Sequence, residues 1–314
     1  MRPRQIGQLL LMSAVWGAVF MLIKYALEDF SPIEVAFFQA SIGAVGLLAI
    51  VLSEGGRSRQ ALGDVLRRPL PALLLGALAI AAPFMLISLG ELSVPSGLAG
   101  VLVSTTPMFV AVFALRLDPT ARINRRQAMG LLVGLVGVAL VVGIQSVSSL
   151  GQFFGALAIL GAAACGALSS FVVKLQYRDK GVPPSTTTLF SLAVGAVLVA
   201  PVAALTASRE VPGARSIIAV ILLGLVCTAL AFTLYYSLID QIGEERAAIG
   251  NYLTPIFALV YGVVLLGESL TISAIIGLAL IIAGAEITLR GDSTKRSGGE
   301  ARAHQYRPHP PFHT

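Results

Sequence analysis

Thr106-Pro107-Met108-Phe109 and Thr254-Pro255-Ile256-Phe257 stand 148 residues apart, each inside a long apolar run. A proline has no amide hydrogen, so the carbonyl four residues earlier, at Val103 and at Asn251, loses its helical donor. In hydrocarbon such a carbonyl must face protein, water or a solute. Ser104, Thr105 and Thr106 crowd one proline, and Asn251, Tyr252 and Thr254 the other. Residues of these types can hydrogen-bond a small polar solute. The plainer alternative is a kink whose freed carbonyl is satisfied by a neighbouring hydroxyl. Two matched sites favour a cavity wall.

Other residues could join that wall. Ser13, Trp16, Gly17, Phe20 and Lys24 share one helical face. Gly166, Ser170 and Lys174 form a comparable stripe, with Ser169 beside it. Pro83 repeats the proline chemistry next to Phe84 and Ser88, and Tyr235 and Tyr236 offer aromatic faces. Lys24 and Lys174 lie near opposite membrane surfaces, where snorkelling to headgroups is expected and an anionic ligand is the alternative. Glu34 and Glu286 sit near span ends and are expected to face water or headgroups. No acid lies at the middle of a span, which argues against a mid-depth proton relay. No histidine, phosphate-binding glycine loop or facing acid pair lies in the apolar runs, so catalysis, a metal and a cofactor are not expected.

The elements that carry these residues follow from composition. The chain is 56% apolar and 12% charged, with a mean hydropathy of +0.86, outside the range of soluble domains. A helix needs roughly 20 apolar residues to cross the bilayer. Ten such runs lie near 6–27, 33–53, 70–90, 93–115, 127–147, 153–177, 185–207, 216–239, 247–267 and 269–289. They are apolar all round, without the strict alternation of a barrel strand. The expected class is an all-α polytopic membrane protein. Cys165 and Cys227 both fall inside spans, so no disulfide is expected.

The matched Thr-Pro sites belong to a longer repeat. Gly76 and Phe84 correspond to Gly224 and Phe232 at the same offset, and Gly130 and Gly137 to Gly277 and Gly284 at 147. Five spans per copy is an odd number, so the copies are expected to be inverted around a central cavity. Charge agrees. With the amino terminus in the cytoplasm, 19 of the 22 Lys and Arg fall inside and only Lys24, Arg209 and Arg215 outside. The basic pI therefore reflects topology, and no nucleic acid partner is expected. Residues 1–147 form the first five-helix repeat, 148–152 a linker, 153–290 the second repeat and 291–314 a disordered cytoplasmic tail holding His304, His309 and His313. Gly130, Gly134 and Gly137 make a small-residue face, expected to pack within the chain more than to form a dimer seam.

Trp16-Gly17 with Phe20 and Lys24, and Tyr252-Leu253-Thr254-Pro255-Ile256-Phe257 running to Leu266-Gly267-Glu268-Ser269-Leu270-Thr271, resemble the EamA-type branch of the drug/metabolite transporter superfamily. Leu117-Asp118 departs from the Gly-Glu pair usual at that point of the first copy. The resemblance implies ten helices, cytoplasmic termini and a cavity walled by the first, third, fourth, sixth, eighth and ninth. Expected from this is a monomeric carrier of the bacterial inner membrane, working by alternating access with a small molecule and the lipid bilayer as its partners. Small neutral or zwitterionic metabolites, amino acids first, are the expected cargo. A drug or dye exporter is the alternative, and a membrane-embedded enzyme a remote one. Reporter tags at the amino terminus and within 148–152 should be read from opposite sides of the membrane; a same-side result overturns the inversion.

Overall fold

The computed structural model describes residues 1–53, 63, 69–117, 124–146, 149–176, 182–207, 211–269 and 271–305. Arg57, Arg59, Arg67, Arg68, Arg122, Arg178, Lys180, Arg209 and Arg307 of the charge count lie outside them, as do Asp118, Val147, Ser148, His309 and His313. All regular secondary structure among the described residues is helical. Nine helices there are long and apolar enough to cross a bilayer: α1 (Pro3–Ala26), α2 (Pro32–Ser53), α3 (Leu70–Gly90), α4 (Ser96–Leu117), α5 (Arg125–Ser146), α6 (Leu150–Gln176), α7 (Pro184–Thr206), α8 (Ala214–Ile242) and α9 (Ile249–Leu266). The last helix, α10 (Ile272–Gln305), opens with a shorter apolar stretch, Ile272–Thr288. It runs on into the segment expected to be disordered.

Local signals set the helix ends. Ser31 and Glu34 form a capping box on α2: the Ser31 amide donates to Glu34 Oε2 at 2.8 Å and the Glu34 amide to Ser31 Oγ at 3.3 Å. Glu34 is therefore buried in this cap and does not face water as expected. Asn124 and Gln127 make the same reciprocal pair ahead of α5. Gly243 and Gly267 end α8 and α9 in the left-handed region, at φ of 83° and 66°. Outward-facing Val197, Val264 and Leu132 are 71%, 70% and 62% exposed, a surface suited to lipid and not to water.

Helices without a hydrophobic drive between them associate by close packing at small residues. A Cβ on Gly76 of α3 would collide with Val194 of α7, and one on Gly195 would lie 2.6 Å from Ile80. The same crossing recurs between α8 and α2, where Gly224 meets Ile42 at 2.5 Å and Gly43 meets Thr228 at 2.8 Å. Contacts between the two halves exchange throughout: α1 packs on α9 and α4 on α6, α2 on α8 and α3 on α7, α5 on α10. A π-helical turn interrupts α3 at Gly76–Ala81 and α8 at Leu225–Leu230. Only the first precedes a proline, Pro83, so the turn belongs to the repeated plan and not to proline alone.

At the end of α1, Asp29 accepts from Ser216 Oγ at 2.6 Å and from the Gly213 amide at 2.9 Å. The Ser216 bond, then the Gly213 bond, hold its carboxyl below the usual carboxylate range. Arg215 lies over the Tyr25 ring at 3.8 Å and pairs with Glu28 at 3.1 Å. These contacts clasp the start of α8 to the end of α1.

The expected small-residue face is in use inside the chain: a Cβ on Gly284 of α10 would lie 2.5 Å from the Gly134 amide nitrogen and 2.6 Å from the Gly130 carbonyl of α5. Backbone cannot yield as a side chain does. Gly284→Ala should lower stability by about 1–3 kcal/mol, read as a fall in the unfolding midpoint in detergent. Gly7→Ala, with nothing within 4 Å, is the control and should leave the midpoint unchanged or raise it slightly.

Candidate functional site

Helices from both halves enclose one cavity of about 340 Å³. Trp16, Val19 and Phe20 of α1, Phe84 and Ile87 of α3, and Cys227, Thr228 and Phe232 of α8 form its walls together with Gln39 of α2. Gly100, Val103, Ser104, Thr106 and Pro107 come from α4, and Asn251, Tyr252, Thr254 and Pro255 from α9. Most of this surface is aromatic or aliphatic, with amides and hydroxyls set into it. Among the lining residues there is no carboxylate, ammonium or guanidinium.

The two proline sites differ in detail. α4 breaks at Ser104 and Thr105, and Pro107 lies in the first turn of the segment Thr106–Leu117, where a missing amide is tolerated. Thr106 Oγ1 donates to the Val103 carbonyl at 2.7 Å, so the carbonyl freed by Pro107 has a neighbouring hydroxyl as donor. In α9 the helix runs through Pro255, and Thr254 Oγ1 donates to the Gly250 carbonyl at 3.0 Å instead. Ser13 adds a bond to the same Gly250 carbonyl at 3.2 Å, fixing α1 to α9 where Trp16 enters the cavity. The Tyr252 hydroxyl is buried without a hydrogen-bond partner among the described residues.

Of the residues singled out in the sequence, Trp16, Phe20, Phe84, Ser104, Thr106, Pro107, Asn251, Tyr252, Thr254 and Pro255 come together along this cavity. The remaining candidates lie elsewhere. Thr105 is buried against its own helix, bonded to the Leu102 carbonyl at 2.7 Å. Ser169 and Ser170 likewise bond back to Gly166 and Ala167, each at 2.7 Å. Pro83 and Ser88 are buried beside the wall, outside the lining. Tyr235 and Tyr236 stand behind it: Tyr235 packs on Trp16 with centroids 5.2 Å apart, and Tyr236 stacks on Phe232 at 6.0 Å and pairs with the Thr188 hydroxyl. They brace aromatic residues that line the cavity.

Gln39, Thr228 and Cys227 are the polar lining residues that sequence reasoning missed. Gln39 Nε2 reaches Thr228 Oγ1 at 3.4 Å, and Thr228 Oγ1 bonds the Leu223 carbonyl five residues back at 2.8 Å, across the π turn. Gln39, the single amide of α2, was the available signal; the π turn has none in the sequence.

One turn beyond the cavity lies a charged cluster. Lys24, expected to snorkel, turns inward and donates to the backbone carbonyl of Glu91, just past the end of α3. The physical reason is that a helix leaves its last carbonyls without donors, and its dipole favours a cation there. Glu268 does the converse at α4: its two oxygens accept from the Ser96 and Gly97 amides at 2.6 and 3.0 Å. The Gly267 and Glu268 amides both return to the Gly262 carbonyl, so the left-handed glycine aims the carboxylate at that helix start. The Glu91 side chain is fully buried between them. Burial pushes its carboxyl well above the usual range, the Lys24 ammonium opposes that, and Glu268 adds to it.

A lipid-facing helical bundle around a solute-sized cavity defines the class: a polytopic helical membrane protein with an internal binding chamber. The chain belongs to the EamA-like transporter family, which matches residues 5–143 and 153–290, once per repeat. It is similar to the uncharacterized inner membrane transporter YedA of Escherichia coli, 27% identical over 90% of each chain. An uncharacterized transporter of Archaeoglobus fulgidus is 26% identical over 88% of this chain and 95% of its own. YoaV, an uncharacterized transporter of Bacillus subtilis, is 26% identical over 86% and 91%. A crystal structure at 22% identity, covering 94% of this chain and 99% of its own, shares the fold with a TM-score of 0.63.

Glu268→Ala removes the carboxylate from the start of α4. It should lower stability by about 1–2 kcal/mol, measured as a drop in unfolding midpoint, with Glu268→Gln keeping part of the loss back.

Proposed function

We propose that the chain is a secondary carrier of the bacterial inner membrane that moves small neutral or zwitterionic metabolites, amino acids first, outward by alternating access. The observation that carries the reading is the cavity wall: aromatic faces, hydroxyls and amides with no fixed charge among the lining residues. A volume of about 340 Å³ falls at the small end of ligand pockets. An unpaired wall charge would select a solute of opposite sign; its absence leaves polar neutral groups to orient the cargo. The exposed Asn251 amide can meet a solute's polar group, and Trp16 and Phe232 offer faces to its apolar part.

Alternating access is supported by the exchange of contacts between the halves, which a two-fold relation produces. With ten spans, five per copy, that relation inverts one half and leaves both termini in the cytoplasm. The cavity presents binding groups without a nucleophile paired to a base, so the cargo passes unchanged. The apolar share of the wall also suits a second reading, a drug or dye exporter.

Counterflow in proteoliposomes with a panel of labelled amino acids tests the proposal. Exchange of one or more is expected, and Asn251→Ala should raise the half-saturating concentration about tenfold, the loss of one hydrogen bond. No exchange of any amino acid overturns the cargo, and dye efflux in its place supports the second reading.

A further inference from the structure

We propose that Glu91 is a proton-binding site that seals the outer end of the cavity, holding a proton while that end is closed and releasing it when water enters. The site takes its orientation from the carrier reading and its chemistry from local geometry alone. Glu91 is 0% exposed, and neither carboxyl oxygen has a hydrogen-bond partner among the described residues. A carboxylate enclosed in this way is strongly disfavoured unless a cation is given over to it. The cation at hand, Lys24, bonds the backbone carbonyl and not the carboxyl group. It also faces a second acid, Glu268, whose two oxygens already accept the Ser96 and Gly97 amides at a helix start. Two acids share one base, and the acid without hydrogen bonds is the one that keeps its proton.

The surrounding helices contribute no further charge to this point. Lys24 from α1 and Glu268 from the loop after α9 are the charged groups acting on Glu91. The half of α6 packed against the Glu91 end of α3 is Leu150–Gly161, which has no ionisable residue, and on α2 Glu34 is engaged by Ser31. Burial, the largest influence on Glu91, acts in the direction of the neutral acid.

The link to the cavity is short. Phe20 and Ile87 line it, and Lys24 and Glu91 stand four residues further along the same two helices. Separating α1 from α3 at this end admits water to Glu91. Its O–H bond then breaks, the proton leaves to that water, and the carboxylate remains opposite the Lys24 ammonium. Closing reverses each step, so acid outside favours the closed outer end.

Infrared spectroscopy of the full chain in phospholipid nanodiscs, titrated with pH, reads the site without any cargo. At neutral pH the wild type should show the carbonyl stretch of a protonated carboxyl that Glu91→Gln loses and Glu91→Asp shifts. Glu268→Gln should move its titration to lower pH and Lys24→Met to higher pH. Superimposable wild-type and Glu91→Gln spectra overturn the proposal, as does a band that neither neighbour shifts. If Glu91→Gln does not yield monodisperse protein, the Glu91→Asp shift decides, and an unmoved band overturns it. A chain that exchanges no amino acid still gives its infrared titration, so the two readings fail separately.

Discussion

Every backbone amide and carbonyl that enters hydrocarbon must find its partner inside the protein, and that constraint governs the rest of this structure. It makes the spans helical, and it makes any departure from the helical ladder conspicuous. Departures are few: the break at Ser104 and Thr105, Pro255 within α9, Pro201 within α7, and the paired π turns of α3 and α8. Of these helices all but α7 wall the cavity. Irregular backbone at membrane depth is tolerated where it faces protein or a chamber, so the chamber and the irregularities are two views of one solution.

Glycine lets the same bundle stay tight around an open centre. The α3–α7 and α2–α8 crossings admit no Cβ at Gly76, Gly195, Gly224 or Gly43, while α5 and α10 meet backbone to backbone. The same close approach joins α1 and α4 to α9, where Gly17 and Gly100 admit no Cβ against Phe257 and Ala258, next to Trp16, Phe20 and the proline segments. Dispersion over these contacts replaces the hydrophobic drive that lipid removes, and rigid pairs of helices result.

The sequence made the helices and the duplication legible because both rest on patterns that survive in one dimension: apolar length, and Thr-Pro, Gly and Phe recurring at one offset. It also made the chamber's proline walls legible, since proline's missing amide is a property of the residue. What it concealed depends on pairing across the fold. Tyr235 and Tyr236 have the chemistry of a binding face, yet Trp16 and Phe232 stand in front of them. Ser169, Ser170 and Thr105 have spare hydroxyls on paper and spend them on their own helices. Glu91 sits in a two-residue gap between apolar runs, where a loop acid ordinarily meets water. Only the packing of α1, α3 and α6 encloses it. Helix-end chemistry misled in the same way for Lys24, whose snorkelling route competes with an uncapped carbonyl one turn away.

The two ends of the cavity are not in the same condition, and the repeat exposes the difference. Shifted by 149 residues, Glu91 corresponds to Asp240 at the far end of α8, and Lys24 has Lys174 as its counterpart near the end of α6. Asp240 and Lys174 are exposed, whereas Glu91 is enclosed and Lys24 half-buried. A strictly symmetric molecule would bury both acid–base sets or neither. One acid–base set is enclosed and its counterpart exposed, an asymmetry that fits the carrier reading. Glu91 then differs from Asp240 in setting: a glutamate enclosed beside one lysine is cut off from water, whereas the aspartate meets it.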